Sequence, residues 1–507
     1  MSSIELKQLS FGFDLQQERL FDQVDLVIDT SWKLGLIGRN GRGKTTLLNL
    51  LLGKYAYQGV IQSTKQFVYF PQTVVDPTQL TQYVIEELMT GEFWQVKREL
   101  TLLGITPDIL WRPFSSLSGG EQTKVLLALL FSEETHFPLI DEPTNHLDKQ
   151  ARTQVASYLK QKKQGFLLVS HDREFVDEVV NHIVSIERHQ LVLYQGNFSV
   201  YEQEKANRDA YEQAQNEKLK KEIHRLQETA AQKAQWAGNR EKDKHNKRKG
   251  FINSEDKNGK GGIDKGSIGA DAARTMKRAK AIVKRVESQA AQKATLLKEI
   301  EMVDQLIMHP KPTHHDTLIE CTNLQLSYDG IPLFEPVSFS VKKGERLAII
   351  GRNGSGKSSL LAAMLGIFTG EIAGEIKIAH GIQWSLIRQL YEDNQGSLEA
   401  FAEQEKIAYQ DLLHNLRKLG VERETFLQSI ETMSMGQRKR VEVARSLTQE
   451  AEIFIWDEPL NYLDVFNHSQ IEEAILRTQP TMLLIEHDQR FIETIATNIL
   501  DLDQARD

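Results

Sequence analysis

The feature that most constrains this chain is a repeat. The segment Gly38-Arg39-Asn40-Gly41-Arg42-Gly43-Lys44-Thr45 returns as Gly351-Arg352-Asn353-Gly354-Ser355-Gly356-Lys357-Ser358, and the landmarks after it return in step. Lys44 and Lys357 lie 313 positions apart and Gln72 and Gln389 317, while Ser118/Ser434, Asp141/Asp457 and His171/His487 are each separated by 316. A lone GxxxxGK[ST] match is a moderate signal. Five landmarks in register mean two copies of one domain, at 1–202 and 316–507. In each copy a short apolar run (33–37, 346–350) enters the glycine loop and a helical pattern (46–52, 359–365) leaves it. Two further apolar runs end in Asp-Glu (137–140, 453–456) and near His (165–169, 481–485). Strands alternating with helices, with polar groups at the strands' C-terminal ends, predict an α/β fold with an open, largely parallel sheet in each copy.

What breaks the repeat is the segment 203–315. Residues 203–249 and 271–306 are rich in Glu, Lys, Gln and Ala and spaced at heptad-like intervals, with Leu219, Ile223 and Leu226 on one arm and Met276, Val283 and Val286 on the other. Two long helices folded into an antiparallel hairpin are expected, the first up to roughly 65 Å long and the second roughly 50 Å. Glycines 259, 261, 262, 266 and 269 place a tip loop near 240–270. The formal net charge is −8, but 205–300 holds 24 Lys and Arg against 13 Asp and Glu, so a segment of +11 sits between flanks totalling −19. Such a run fits either a solvated helix face or a docking surface for a polyanion, and the acidic flanks favour the second.

Cys321 is the single cysteine, which excludes a disulfide framework and a cysteine-built metal cluster. No signal-peptide pattern opens the chain, and apolar runs such as 125–131 fall well short of a membrane span, so a cytoplasmic protein is expected.

A glycine loop of this kind turns backbone N–H groups onto phosphates at a helix N-terminus. Gly38, Asn40, Gly41, Gly43, Lys44, Thr45 and Thr46 are the candidate phosphate ligands of the first copy; Gly351, Asn353, Gly354, Gly356, Lys357, Ser358 and Ser359 are those of the second. Thr45, Gln72 and Asp141, with Ser358, Gln389 and Asp457, are the candidate Mg²⁺ ligands. Glu142 and Glu458 are positioned to polarise an attacking water. The chemistry expected is hydrolysis of ATP with Mg²⁺.

Leu117-Ser118-Gly119-Gly120-Glu121-Gln122, lying between the glycine loop and the acidic strand, resembles the signature of ABC (ATP-binding-cassette) ATPases. Gln72, Pro143 through Asp148, and Ser170-His171-Asp172 complete the resemblance in the first copy; Gln389, Pro459 through Asp464, and Glu486-His487-Asp488 do so in the second. The resemblance implies two cassettes paired within one monomer, each ATP held between one copy's P-loop and the other's signature: Ser118, Gly119 and Gly120, or Ser434 and Gly436. It also implies switch roles for His171 and His487 and adenine stacking by Phe13 and Tyr328, although an aromatic at those positions is as easily core. Met435 replaces the glycine at Gly119's position. A side chain there is expected to crowd the phosphate, making the two sites hydrolyse unequally.

Two cassettes without membrane spans, joined by a basic helical hairpin, resemble the ABC-F family along essentially the whole chain, as does the exit 194–201. That family implies binding of the 70S ribosome at the tRNA exit site in the ATP-bound form, with the hairpin reaching toward 23S rRNA and the P-site tRNA. Only 46 and 45 positions separate Gln72 from Ser118 and Gln389 from Ser434. There is thus no inserted arm, and the tip sequence resembles Lsa-type resistance proteins. Protection from lincosamide, pleuromutilin and streptogramin A antibiotics is therefore expected, with a housekeeping translation factor as the alternative. Trp236, Lys244, His245, Lys249, Phe251 and Ile252 are the candidate RNA contacts. Neither a membrane nor DNA is an expected partner.

Overall fold

A computed structural model describes residues 2–13, 19–144, 147, 149–250, 281, 284–286, 305–352, 354–389 and 391–503. The chain forms two compact units: Met1–Tyr201 together with Val303–Asp507, and Glu202–Met302.

The first unit holds both cassettes, and each is built on a parallel sheet. In the first, the strands run in the order Gln66–Phe70, His136–Asp141, Phe166–Val169, Lys33–Ile37, His182–Glu187, Gln190–Gln195, with only the last pair antiparallel. In the second the order is Trp384–Ile387, Ile453–Asp457, Met482–Ile485, Arg346–Ile350, Asn498–Asp501, parallel throughout. The continuous apolar runs follow from burial on both faces. Leu139 and Leu167 pack on one side of the first sheet with Leu47 and Leu50, whereas Ile140 and Leu168 pack on the other with Val125 and Leu127. The strand preceding each P-loop lies beside the strand ending near the switch histidine, with the acidic strand one further out. All three functional strand ends therefore emerge at one edge. Antiparallel strands Ser3–Phe11, Phe21–Asp29 and Gln58–Ser63 form a second small sheet, and Thr317–Tyr328 pairs with Ile331–Pro332, Val337–Lys342 and Glu371–Ile378 in the other cassette.

The second cassette starts earlier than residue 316. Leu306 and Met308 are buried in its helical core with Leu412, Leu416 and Leu447, and Pro310 forms a β-bridge to Ala451. Asn415, fully buried, accepts from the Ile307 N–H and donates to its carbonyl, both at 3.1 Å. Arg477 donates to the Leu306 carbonyl and Lys418 to that of Gln305. The end of the segment expected as the second helical arm, Leu306, is therefore core of this cassette. Asn415→Ala strips two backbone groups of their partners and is expected to destabilise this cassette by about 2–3 kcal/mol in chemical denaturation.

One helix, Phe198–Gly250, begins in the first unit at Phe198–Tyr201 and supplies the other unit from Glu202 on; it has 53 residues and runs about 80 Å at 1.5 Å per residue. Residues 240–250, placed above in the tip loop, thus continue the helix; its first strong breaker after Gly238 is Gly250 itself. The rest of the expected tip lies outside the described residues, as does the second arm apart from 281, 284–286 and 305–306. Among the described residues, no helix is long and apolar enough to cross a membrane.

Candidate nucleotide sites at the paired cassettes

The two P-loops share a backbone device. Gly43 (φ 93°) and Gly356 (φ 94°) are left-handed and precede the helices Lys44–Leu51 and Lys357–Met364, and a Cβ on Gly43 would stand 3.0 Å from Leu20. Each lysine is buried and curls back into its own loop. Lys44 Nζ donates to the Gly38 carbonyl (2.7 Å) and Asn40 Oδ1 (2.8 Å), and Lys357 Nζ to the carbonyls of Gly351 (2.8 Å) and Arg352 (2.9 Å). Thr45 and Ser358 start the helices and are exposed, with Thr46 and Ser359 half-buried behind them. Asn353 lies outside the described residues, as do Asn145, His146 and Asp148.

At the acidic strand ends, Glu142 (φ 51°) and Glu458 (φ 47°) both adopt the left-handed conformation, uncommon for a residue with a side chain. The Glu142 N–H donates to Val169 O (2.8 Å) and the Glu458 N–H to Ile485 O (2.9 Å), carrying the sheet one residue past the strand. This turn brings each carboxylate to its switch imidazole. Nε2 of His171 lies 3.4 Å from Glu142 Oε1, and that of His487 3.5 Å from Glu458 Oε1. Burial pushes Glu142 up to about 8, with Asp141 adding to the rise, whereas Glu458 is held below its ordinary value by its bonds to His487 and, at 2.6 Å, Asn461 Nδ2. Burial, reinforced by Lys44, keeps His171 well below the usual imidazole range.

The Mg²⁺ candidates differ between copies. Ser358 Oγ donates to Asp457 Oδ2 (3.2 Å), and burial raises Asp457 to about 6, helped by Glu458. In the first copy Asp141 Oδ2 instead accepts from the Tyr69 hydroxyl (2.9 Å), a partner that sequence reasoning missed because Leu386 stands at the matching place. The Asp457 Oδ1 and Gln72 Oε1 atoms are buried without a hydrogen-bond partner, oxygen donors of the hard kind that Mg²⁺ takes.

Two cavities mark the sites. One, of about 570 Å³, is lined by Lys44, Thr45, Gln72's neighbour Pro71, Gly119, Asp141 and His171. The other, of about 800 Å³, is lined by Lys357, Ser358, Gln389, Tyr328, Glu458 and His487 and continues to Asn40, Glu142 and His171 of the first cassette. Tyr328 thus shares a cavity with Lys357 and Ser358. Phe13 lines neither cavity; it is exposed and packs edge-on against Phe11 and Tyr55.

The signature residues divide similarly. Gly436 shares the larger cavity with Asn40, which brings the second signature to the first P-loop's side, while Gly119 lines the cavity of its own cassette. Ser118 and Ser434 cap their helices, each Oγ accepting from the third helical N–H at 3.3 Å, and Gly120 lies in the first turn behind Ser118. Met435, whose side chain is expected to crowd the phosphate, stands at the first position of the helix after Ser434. It lines neither cavity, and its sulfur accepts from Arg438 Nη2 on its own helix (2.9 Å).

Behind Gln389 sits a charged network absent from the first copy. Glu442, fully buried, accepts from Arg388 Nε (3.1 Å), Asn394 Nδ2 (2.9 Å) and Arg445 Nη2 (2.8 Å), and these partners overcome burial to hold it down at about 2. Leu126 and Leu129 occupy the places of Glu442 and Arg445 in the first cassette. Glu442→Ala is expected to cost about 3–5 kcal/mol, because it removes the buried carboxylate that two guanidinium groups share. The folded-state value lies below the unfolded one near 4.5, so this contribution is complete above about pH 4.5 and lost as pH falls toward 2. Urea denaturation at several pH values checks both statements.

The RNA-contact candidates Trp236, Lys244, His245 and Lys249 fall on the helix Phe198–Gly250, while Phe251 and Ile252 lie outside the described residues.

This fold and these sites define a tandem nucleotide-binding ATPase. A family model described as ABC transporter matches residues 21–145 and 334–461, and a second with the same description matches 184–252. The chain is 28% identical over 500 residues to the ribosome protection protein VmlR of Bacillus subtilis, covering 95% of this chain and 84% of the relative. It is 24% identical over 540 residues to the probable ATP-binding protein YheS of Escherichia coli K12, covering 95% and 76%. Among solved structures, the complex of archaeal ribosomal stalk protein aP1 with the ribosome recycling factor aABCE1 matches with a TM-score of 0.62 at 18% identity, over 97% of this chain and 87% of that one. The chain belongs to the ABC-F family of ATPases.

Proposed function

We propose that this ATPase protects the bacterial ribosome from antibiotics of the peptidyl-transferase centre: lincosamides, pleuromutilins and streptogramin A. The observation that carries this reading is the likeness to a ribosome protection protein over 95% of the chain, which includes the segment that interrupts the repeat. In its ATP-bound form the monomer binds the 70S ribosome at the tRNA exit site. The basic segment, with its 24 cationic residues, meets the phosphates of 23S rRNA and P-site tRNA. Hydrolysis releases it.

In each site the P-loop amides and Lys44 or Lys357 hold the β and γ phosphates. Thr45, Gln72 and Asp141, or Ser358, Gln389 and Asp457, hold Mg²⁺, which neutralises charge developing on the phosphoryl oxygens. Glu142 or Glu458 accepts a proton from the water that attacks the γ-phosphorus as ADP departs, and His171 or His487 orients that carboxylate. Tyr328, which lines the second site's cavity, stacks on adenine there.

Expression in a susceptible bacterium tests the reading. Inhibitory concentrations for a lincosamide and a pleuromutilin should rise several-fold, and unchanged values would contradict drug protection in favour of a housekeeping translation factor.

A further inference from the structure

The paired cassettes touch through elements that the repeat makes formally equivalent, yet among the described residues one contact exists on one side only. Arg173 follows the switch histidine by two positions, and its side chain is 2% exposed. Its guanidinium leaves its own cassette and bonds the helix Val465–Thr478 of the other: Nη1 to both Glu472 oxygens (3.0 and 3.3 Å), and Nη2 to the Val465 carbonyl (2.8 Å) and Ser469 Oγ (2.9 Å). The N-cap of that helix is Asp464, and its Oδ2 accepts the Asn40 N–H of the first P-loop at 2.7 Å. Val465 packs into the first cassette's core, and Arg39 lies over the Phe466 ring at 5.5 Å.

At the equivalent positions the chemistry is different. Gln489 stands in place of Arg173 and bonds Glu493 on its own helix (2.8 Å), while Ala156 stands in place of Glu472. Lys149 and Gln150 replace the apolar Val465 and Phe466. In the second P-loop the Arg352 N–H donates to Asp503 Oδ2 of its own cassette at 2.7 Å, while Asp148 and Asn353, the counterparts of Asp464 and Asn40, lie outside the described residues.

We propose that Arg173 is a one-sided latch, a positioning residue that seats the helix Val465–Thr478 so that Asp464 meets the Lys44 P-loop, leaving the Lys357 side as the one that opens and closes. A fork of donors spread over three acceptors on a single helix fixes both its depth and its rotation, which a single ion pair would not. The inequality of the two ATP sites then originates in this contact rather than at Met435.

Hydrogen exchange on the full chain without nucleotide tests the latch. In Arg173→Ala, protection of the Asn40 amide and of 467–472 should fall about a hundredfold, while amides of 354–358 stay unchanged. Glu472→Gln, which keeps the side-chain size, should give the same pattern in weaker form, and it carries the test should Arg173→Ala not fold. Protection at Asn40 unchanged in Glu472→Gln, or lost equally at both P-loops, would overturn the proposal. Kinetics provide the second arm. Adding Arg173→Lys should lower kcat/KM severalfold in a Glu458→Gln background and leave it unchanged in Glu142→Gln; equal losses in the two backgrounds would also overturn it.

Discussion

Replacing both strand-end glutamates, Glu142→Gln with Glu458→Gln, is expected to slow ATP turnover by about 10²–10⁴-fold while leaving ATP binding intact. The two carboxylates occupy matching left-handed turns and face matching imidazoles at 3.4 and 3.5 Å, so each is placed to accept a proton at its own site. Glutamine keeps the shape and the hydrogen-bonding reach but takes no proton. Single variants should differ from one another, because burial and Asp141 raise the Glu142 carboxyl whereas bonds to His487 and Asn461 lower that of Glu458. Steady-state hydrolysis by the three variants gives the measurement, and equal rates in the two single variants would contradict unequal sites.

The second large effect is at the P-loop lysines. Lys44→Ala with Lys357→Ala is expected to weaken ATP binding itself by at least about 10²-fold, since a buried point charge is lost from each phosphate cradle. Both ammonium groups are already desolvated and bonded to carbonyls that phosphate oxygens would replace as partners. Equilibrium binding of a fluorescent ATP analogue distinguishes this variant from the glutamate pair, which should bind normally and fail only in turnover. Unaltered binding would place the phosphates elsewhere.

Much of this architecture is written locally in the chain. The P-loops, the acidic strands and the switch histidines each combine an apolar run with a polar terminus. The 316-residue register ties them together, so the parallel sheets and their functional edge follow from the sequence pattern. The borders of the interrupting segment did not follow so well. Leu306 closes the run expected as the second helical arm, and only the packed structure shows it and Met308 buried against Leu412 and Leu447. Residues 240–250 remain helical because nothing between Gly238 and Gly250 breaks the pattern. Contacts between cassettes were illegible for a different reason. Arg173 and Glu472 lie 299 positions apart, and neither carries a motif that points to the other. Tyr69 likewise becomes a partner of Asp141 only through the pairing of neighbouring strands, with Tyr69 opposite Leu139. Met435 is the reverse case. A departure from the repeat is visible at once in the sequence, but its side chain lies along its own helix.

The central claim is that ATP drives the chain onto the ribosome and that hydrolysis lets it go. Co-sedimentation of the Glu142→Gln, Glu458→Gln variant with 70S ribosomes tests this most directly. With ATP, most of the variant should pellet with the ribosomes, and far less should do so without nucleotide; pelleting no greater with ATP than without it would contradict the account.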